Sequence, residues 1–370
     1  MSSEAAGAPI RAGFIGAGFM AEVHSRAVRA ARGLPYGIAS STAEGAARAA
    51  DRLGIVRSYE TAEQLIADPD IDVIHVCTPN TSHAGYASAA IAAGKNVVCE
   101  KPLATSVPDA ERLVAEASVA GVTATVPFVY RFHPMVREAR ARVAAGELGR
   151  LLTIDGSYLQ DWLLLEDDDN WRVRAESGGP SRAFADIGSH LCDLVEFVTG
   201  DRIRRLTATT RTFFPARSTS TAITTEDAVA VVVETRGGAL GTLLVSQVAP
   251  GRKNRLAIEI AGTNESIGFD QEQPESLWLG HRVGSQLVMR DGATLSPDAA
   301  RLSVLPAGHP LGYQDAFTAF VADSYAAIAG GVPDGLPRFE DGARAARITE
   351  AVLRSADEGR WIDLEEESAR

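Results

Sequence analysis

The sequence predicts an α/β chain in two unlike parts: a doubly wound, mainly parallel sheet, then an α+β unit on an open, mainly antiparallel sheet. Three observations carry this. Short apolar runs alternate with Ala-rich helical patterns through the first 150 residues, which calls for right-handed βαβ crossovers and a sheet covered on both faces. A Gly-x-Gly-x-x-Ala turn, Gly16-Ala17-Gly18-Phe19-Met20-Ala21, joins the first strand directly to the first helix. From about residue 205 to 289 strand patterns follow one another with turn residues between them.

In order, strands are expected at 10–15, 36–40, 56–59, 73–77, 96–99 and 123–129. The intervening helices are expected from 19 to about 32 and at 43–53, 62–67, 82–93 and 108–120. The run Val-Ile-His-Val-Cys at 73–77 is apolar on both faces, as a central parallel strand should be. After Gly149 the pattern changes. A strand is expected at 151–159, a helix at 187–198 between Gly188 and Gly200, and strands at 206–213, 228–234, 241–248, 256–261, 266–270, 276–279 and 286–289. Helices close the chain at 313–329 and 341–358. At 370 residues the chain exceeds what one core supports. The expected division is a disordered tail over 1–9, a Rossmann dinucleotide-binding domain over 10–130, and an α+β domain over 131–370, which the family resemblance set out below assigns to substrate binding and oligomerisation and whose last helices are free to pack back on the first.

A net charge of −12 without a basic stripe argues against nucleic acid as a partner. No apolar run reaches bilayer length, so no membrane partner is expected. The start, small and polar over residues 1–9, lacks the basic and apolar regions of a signal peptide, which points to the cytoplasm. Cys77, Cys99 and Cys192 share no metal-binding spacing and read as buried reduced thiols. Glu166-Asp167-Asp168-Asp169 reads as a solvated loop, since four consecutive carboxylates do not aim at one ion, and no metal is expected.

In the glycine turn, Gly16 makes the tight bend, Gly18 lets the backbone approach a diphosphate, and small Ala21 packs helix on strand; the phosphates meet the free amides and positive end of the helix. The acidic residue that would grip a ribose 2′-hydroxyl is missing, and Ser40-Ser41-Thr42 stand at the end of the second strand instead. No Lys or Arg follows closely, Arg48 being the nearest, so NADP is permitted and not demanded, with a slight lean towards it over NAD.

Ligands of doubly wound sheets lie outside the carboxyl ends of the strands. Thr78-Pro79-Asn80, with His83 beyond, follows strand four there, and Glu100-Lys101-Pro102 follows strand five. A cis Lys101–Pro102 bond would turn the lysine towards a nicotinamide; a solvated turn lysine is the plain alternative. Asp186 and His190, four apart at a helix start, suit an oriented imidazole, or else an N-cap and a satisfied core histidine. Tyr158, Gln160, Asp161 and Trp162 end the first strand of the second part and suit a polyol through stacking and hydroxyl hydrogen bonds, though sheet packing explains the aromatics almost as well. His309 and Tyr313 are weaker candidates, and His24 and His281 read as surface residues.

Together these segments resemble the Gfo/Idh/MocA family, which takes its name from glucose–fructose oxidoreductase, inositol dehydrogenase and a rhizopine-catabolism protein. The resemblance rests on the glycine turn, T-P-N-x-x-H from Thr78 to His83, E-K-P at Glu100, Lys101 and Pro102, Tyr130-Arg131, Trp171-Arg172, D-x-G-x-H from Asp186 to His190, and Gly312-Tyr313. It implies a catalytic trio of Lys101, Asp186 and His190. It implies NAD(P)(H) contacts from Gly16, Gly18, Phe19, Met20, Ala21, Ser40, Ser41, Thr78, Pro79, Asn80, His83, Glu100, Lys101, Arg131, Trp171 and Arg172. Substrate contacts are implied for Lys101, Tyr130, Tyr158, Gln160, Asp161, Asp186, His190 and Tyr313. The implied reaction is hydride transfer between nicotinamide C4 and a secondary hydroxyl or ketone carbon of a sugar, glycoside or inositol. A homodimer or homotetramer through the outer face of the second sheet is also implied. The family's NAD users commonly carry an acidic residue at Ser40 or Ser41, and its NADP users a basic one soon after; this chain has neither. Two other readings are redox-assisted glycoside cleavage with recycled cofactor and a non-catalytic cofactor-binding sensor; retention of Lys101, Asp186 and His190 argues against the sensor.

Overall fold

A computed structural model describes residues 8–364. The expected tail lies, up to residue 7, outside the described residues. The first part runs β1 (Arg11–Ile15), α1 (Phe19–Ala30), β2 (Leu34–Ala39), α2 (Ala43–Leu53), β3 (Arg57–Ser58), α3 (Ala62–Ala67), β4 (Val73–Val76), α4 (His83–Ala92), β5 (Asn96–Cys99), α5 (Val107–Ala120) and β6 (Ala124–Thr125). All six strands are parallel, in the order β3-β2-β1-β4-β5-β6. The order reverses between β1 and β4, which opens a crevice at their carboxyl ends. Local chemistry sets the helix ends. Thr42, Thr61 and Ser106 accept from the amides of Gly45, Gln64 and Asp109 and so start α2, α3 and α5. Gly54 and Gly121 end α2 and α5 in the left-handed conformation.

The second part runs α6 (Pro134–Ala144), β7 (Leu151–Leu159), α7 (Ala175–Gly178), α8 (Ser189–Thr199), β8 (Ile203–Arg211), β9 (Ala228–Thr235), β10 (Leu240–Ser246), β11 (Arg255–Gly262), β12 (Ser266–Asp270), β13 (Ser276–His281), β14 (Gly284–Met289), α9 (Pro297–Leu302), α10 (Tyr313–Ile328), α11 (Phe339–Glu358) and β15 (Ile362–Asp363). Its nine strands are ordered β14-β13-β12-β11-β7-β10-β9-β8-β15, and every pair is antiparallel except β7 with β10. The inner face packs Leu206, Val231, Val233 and Leu243 against Leu191, Leu194 and Val198 of α8 and Ile348 and Val352 of α11. The outer face exposes Leu240 and Leu244 of β10, and the edge strand β14 exposes Leu287 and Met289. Phe317, Phe320 and Val321 of α10 share a core with Ala12, Phe14 and Val28, and Phe339 and Ala343 of α11 share one with Val97, Leu113 and Val126. The closing helices therefore fix the two sheets relative to each other.

The differences from expectation have local causes. The helix α6 is not announced by an apolar stripe, because charged Arg137 and Glu138 are among its buried residues. The sixth strand shortens to two residues because only Ala124 and Thr125 pair with β5, and a 3₁₀ turn follows from Val129. The helix expected from 187 is preceded by a π-helical turn over Phe184–Gly188 and becomes α-helical at Ser189. Among the described residues, no helix is long and apolar enough to cross a membrane.

Candidate active site

Gly16 has φ +109°, and a Cβ there would sit 2.5 Å from the Cys77 carbonyl oxygen, so only glycine fits. A Cβ on Gly18 would meet open space. Gly18 offers α1 no side-chain cap, so the first-turn amides of this 12-residue helix have no helical partners and face whatever fills that space. The space is a cleft of about 840 Å³. Gly16, Gly18, Phe19 and Met20 line it from the turn, Ser40 and Ser41 from the end of β2, Thr78 and Pro79 from the end of β4, and Trp171 and Arg172 from the second part. Its size and its bare helix end fit a dinucleotide. Ala21 is buried beneath it. Ser40 Oγ is engaged locally, donating to Thr42 O at 3.0 Å. Glu60 and Glu63 also line the cleft. Arg52 reaches back from α2 to donate to Ala17 O at 2.9 Å, which sets a cation on the glycine turn.

Lys101 Nζ donates to Asp186 Oδ1 at 2.7 Å and to Asp186 O at 2.8 Å. The Lys101–Pro102 bond is cis. Asp186 lies in the π-helical turn, a local widening frequent at functional sites. Gln247 Nε2 donates to its Oδ2 at 2.8 Å, and Arg172 Nε stands 3.6 Å from Oδ1. Burial pushes the Asp186 carboxyl up, but the Lys101 and Arg172 cations more than offset this and hold it well below the usual carboxylate range. His190, early in α8, is boxed by aromatic rings: Tyr130 at 5.1 Å, Phe128 at 5.6 Å and Tyr158 at 6.4 Å. Burial first, and then the Lys101 cation, push its proton affinity well below that of a free imidazole, so it is neutral near pH 7. Its Nδ1 is buried without a partner.

Behind His190 the end of β7 is knitted to the turn before β11. Tyr158 OH donates to Asn254 Oδ1 (2.8 Å) and is hydrogen-bonded to Tyr130 OH, and Asn254 Nδ2 donates to Tyr130 OH (3.1 Å). Gln160 Nε2 donates to the same Asn254 oxygen (2.8 Å), and Trp162 Nε1 to Gln160 Oε1 (2.7 Å). Asp161 pairs with Lys253 at 2.7 Å and accepts from the Gly251 amide. Tyr313 begins α10 with its ring 6.4 Å from Tyr130.

Four residues expected at the cofactor are occupied elsewhere. Arg131 is buried between Asp193 and Asp341 and donates to Gly335 O, a cluster that joins the turn after β6 to α8 and α11. Asn80 donates to Gly178 O at 2.9 Å, tying the start of α4 to α7. His83 is buried, with its ring nitrogens on Pro102 O (2.7 Å) and Thr78 O (2.8 Å), so it fastens the two loops that carry Thr78 and Lys101. Glu100 points into the core, where His24 Nε2 meets Oε1 at 2.9 Å and the Lys101 amide meets Oε2 at 3.2 Å. His24, expected at the surface, is fully buried because its helix face meets His75 and Phe317. Gln247, Asn254 and Arg52 escape the sequence reading, since none stands in a spaced motif. Among the described residues no His/Cys/Asp/Glu group could hold a metal ion. In the acidic loop, Asp168 accepts from the Leu165 amide and Asp169 from Thr219 and Ser220.

Residues 10–128 match the family profile described as oxidoreductase family, NAD-binding Rossmann fold, and residues 136–268 match the GFO/IDH/MocA C-terminal domain. Levoglucosan dehydrogenase of Pseudarthrobacter phenanthrenivorans is 31% identical over 97% of this chain and 99% of its own length. A solved levoglucosan dehydrogenase, in complex with NADH and levoglucosan, superposes with a TM-score of 0.91 at 30% identity, covering 96% of this chain and all (100%) of that one. An inositol dehydrogenase homolog from Azotobacter vinelandii, complexed with NAD+, gives 0.87 at 27% identity, covering 98% and 99%.

Proposed function

The chain belongs to the Gfo/Idh/MocA family of NAD-binding oxidoreductases, and from that premise we propose that it moves a hydride between NAD(H) and a secondary ring carbon of a pyranose-like or inositol-like polyol. One observation carries the reading. Lys101 from the first part and His190 from the second stand about one carboxylate, Asp186, which lies 3.6 Å from Arg172 in the lining of a dinucleotide-sized cleft. Gly16, Gly18 and the first turn of α1 would hold the diphosphate; Thr78, Pro79, Trp171 and Arg172 would line the rest. The bound nicotinamide supplies the hydride acceptor.

His190, neutral and buried among rings, takes the hydroxyl proton during oxidation and returns it during reduction. The Lys101 ammonium has three donors and spends two on Asp186, which leaves one for the reacting oxygen, where it stabilises developing alkoxide charge. Asp186, held by Gln247, keeps that ammonium aimed. Tyr158 and Gln160 are held by Asn254, so they offer a fixed wall. Glu60 and Glu63 in the cleft, and Ser40 Oγ turned to Thr42, favour NAD(H) over a cofactor with a 2′-phosphate. Exposed Leu240 and Leu244 on the outer sheet face support self-association there.

A panel of levoglucosan, free pyranoses and inositols, assayed with NAD and NADP by nicotinamide absorbance, tests the proposal. NAD-linked oxidation of at least one cyclic polyol is expected. Tight cofactor binding without turnover of any of them would overturn it in favour of a sensor.

A further inference from the structure

Below the cleft floor four polar side chains form one unbroken buried chain. Tyr325 OH lies 3.0 Å from His75 Nε2, His75 Nδ1 lies 2.8 Å from His24 Nδ1, and His24 Nε2 lies 2.9 Å from Glu100 Oε1. They come from α10, β4, α1 and the end of β5. Both imidazoles are wholly buried, with Phe14 and Phe317 against them.

With both imidazoles neutral, the proton positions follow from valence. A carboxylate only accepts, so His24 Nε2 carries hydrogen. A neutral His24 then has a lone pair at Nδ1, so His75 Nδ1 must carry hydrogen. That leaves a lone pair at His75 Nε2, which Tyr325 OH supplies. Every donor points the same way, towards Glu100, whose second oxygen accepts from the Lys101 amide. Burying four such side chains in an apolar core costs stability unless each bond is made, and here each is.

We infer that His24, His75 and Tyr325 are positioning residues for Lys101: their one-way chain keeps Glu100 ionised and clamped from both sides, and Glu100 in turn fixes the backbone from which Lys101 reaches Asp186. The inference rests on the proposed role of Lys101. It also explains why the helix that meets the cofactor and the loop that carries Lys101 share one hydrogen-bond line, since His24 belongs to α1.

Glu100 also faces His83 on α4, Tyr313 on α10, and the Cys77 and Cys99 thiols. Burial raises its carboxyl, and His24 leads the groups that bring it down again. Without His24 the carboxyl should hold its proton to higher pH. The first test reads the resting protein. With ¹⁵N-labelled histidine, His24 should appear as the Nε2–H tautomer and His75 as the Nδ1–H tautomer. Reversed tautomers overturn the inference whether or not the substrate is correct.

The second test is kinetic. His24→Leu should lower kcat about 30-fold, leave cofactor Kd within about threefold, and add an acid limb to the kcat profile; His24→Gln, whose amide still donates to Glu100, should recover most of the rate and lose the limb. Tyr325→Phe, the gentlest variant, should lower kcat about threefold by releasing the His75 tautomer. Equal rates in His24→Leu and His24→Gln, or parental kcat in all three, overturn it. If His24→Leu does not fold, Tyr325→Phe and the tautomers decide.

Discussion

The Lys101–Asp186 pair and the Arg131–Asp193–Asp341 cluster are both buried ion sites drawn from charged motifs, yet they differ in what remains unspent. Arg131 directs Nε to Asp193 at 2.8 Å, Nη2 to Asp193 and to Asp341 (2.8 Å), and Nη1 to Gly335 O at 3.4 Å, and it stacks on Phe197 at 5.0 Å. Four of its five N–H groups are spent on protein oxygens, and Arg131 does not line the dinucleotide-sized cleft. Lys101 keeps one donor free and His190 keeps a bare Nδ1, and the Asp186 that Lys101 holds stands 3.6 Å from Arg172, which lines the cleft. Burial and charge alone therefore do not mark an active site; residual hydrogen-bonding capacity at a cleft does.

The strongest way to break this contrast is Lys101→Met. It should lower kcat by about 10³-fold or more while cofactor Kd, read by fluorescence titration, changes less than about threefold. A variant keeping a tenth of parental kcat would remove Lys101 from the chemistry. Arg131→Met should do the reverse. It strands two carboxylates and should cost about 3–4 kcal/mol in denaturant unfolding, while the folded fraction turns over at the parental rate. A collapse of kcat in folded Arg131→Met would return that residue to the active site.

His133 sharpens the comparison, because it too has a bare buried nitrogen, Nε2, but it lies behind Tyr130, with the two rings stacked at 5.9 Å. Burial pushes its pKa down to about 4. The folded state thus holds the neutral ring, while the unfolded chain protonates near about 6.5. The resulting stability is complete above that value and falls as pH drops through the window down to about 4, by about 3 kcal/mol in full. His75 and His190, shifted in the same direction, add to the parental loss in acid. His133→Phe should flatten its share of the loss in melts taken from about pH 7 to 5 and leave kcat unchanged. An unaltered pH–stability curve would refute this.

What the sequence discloses follows the range of the signal. The βα alternation, the glycine turn and the Asp186–His190 spacing are local patterns, and the parallel sheet and the cleft are where those patterns place them. Gln247, His24 and Asn254 act through partners 61, 76 and 96 residues away, and one polar side chain in a strand, helix or turn gives no sign of which distant group it will meet. The motif pair Tyr130-Arg131 misleads for the same reason. Tyr130 faces His190, while Arg131 turns to α8 and α11 because Asp193 and Asp341 are there. Charged α6 is hidden because the groups that pair with Arg137 Nη1, Asp298 and the Asp334 carbonyl, come from far along the chain.

The smallest effect is expected at Gln247, which bridges the two kinds of behaviour. Its Nε2 is spent on Asp186 and its Oε1 is buried without a partner. Gln247→Leu removes one donor from a carboxylate that still keeps Lys101, so Asp186 should stay ionised but swing more freely. A fall of about tenfold in kcat, about 1.4 kcal/mol, is expected with little change in thermal stability. Gln247→Glu should do worse, since a second carboxylate beside Asp186 competes for the same ammonium and raises the proton affinity of the pair. That ordering, parent above leucine above glutamate, separates a positioning role from mere packing, under which the bulk-matched glutamate would be the milder change. If glutamate retains more activity than leucine, Gln247 fills space and the aim of Lys101 is set by Asp186 alone.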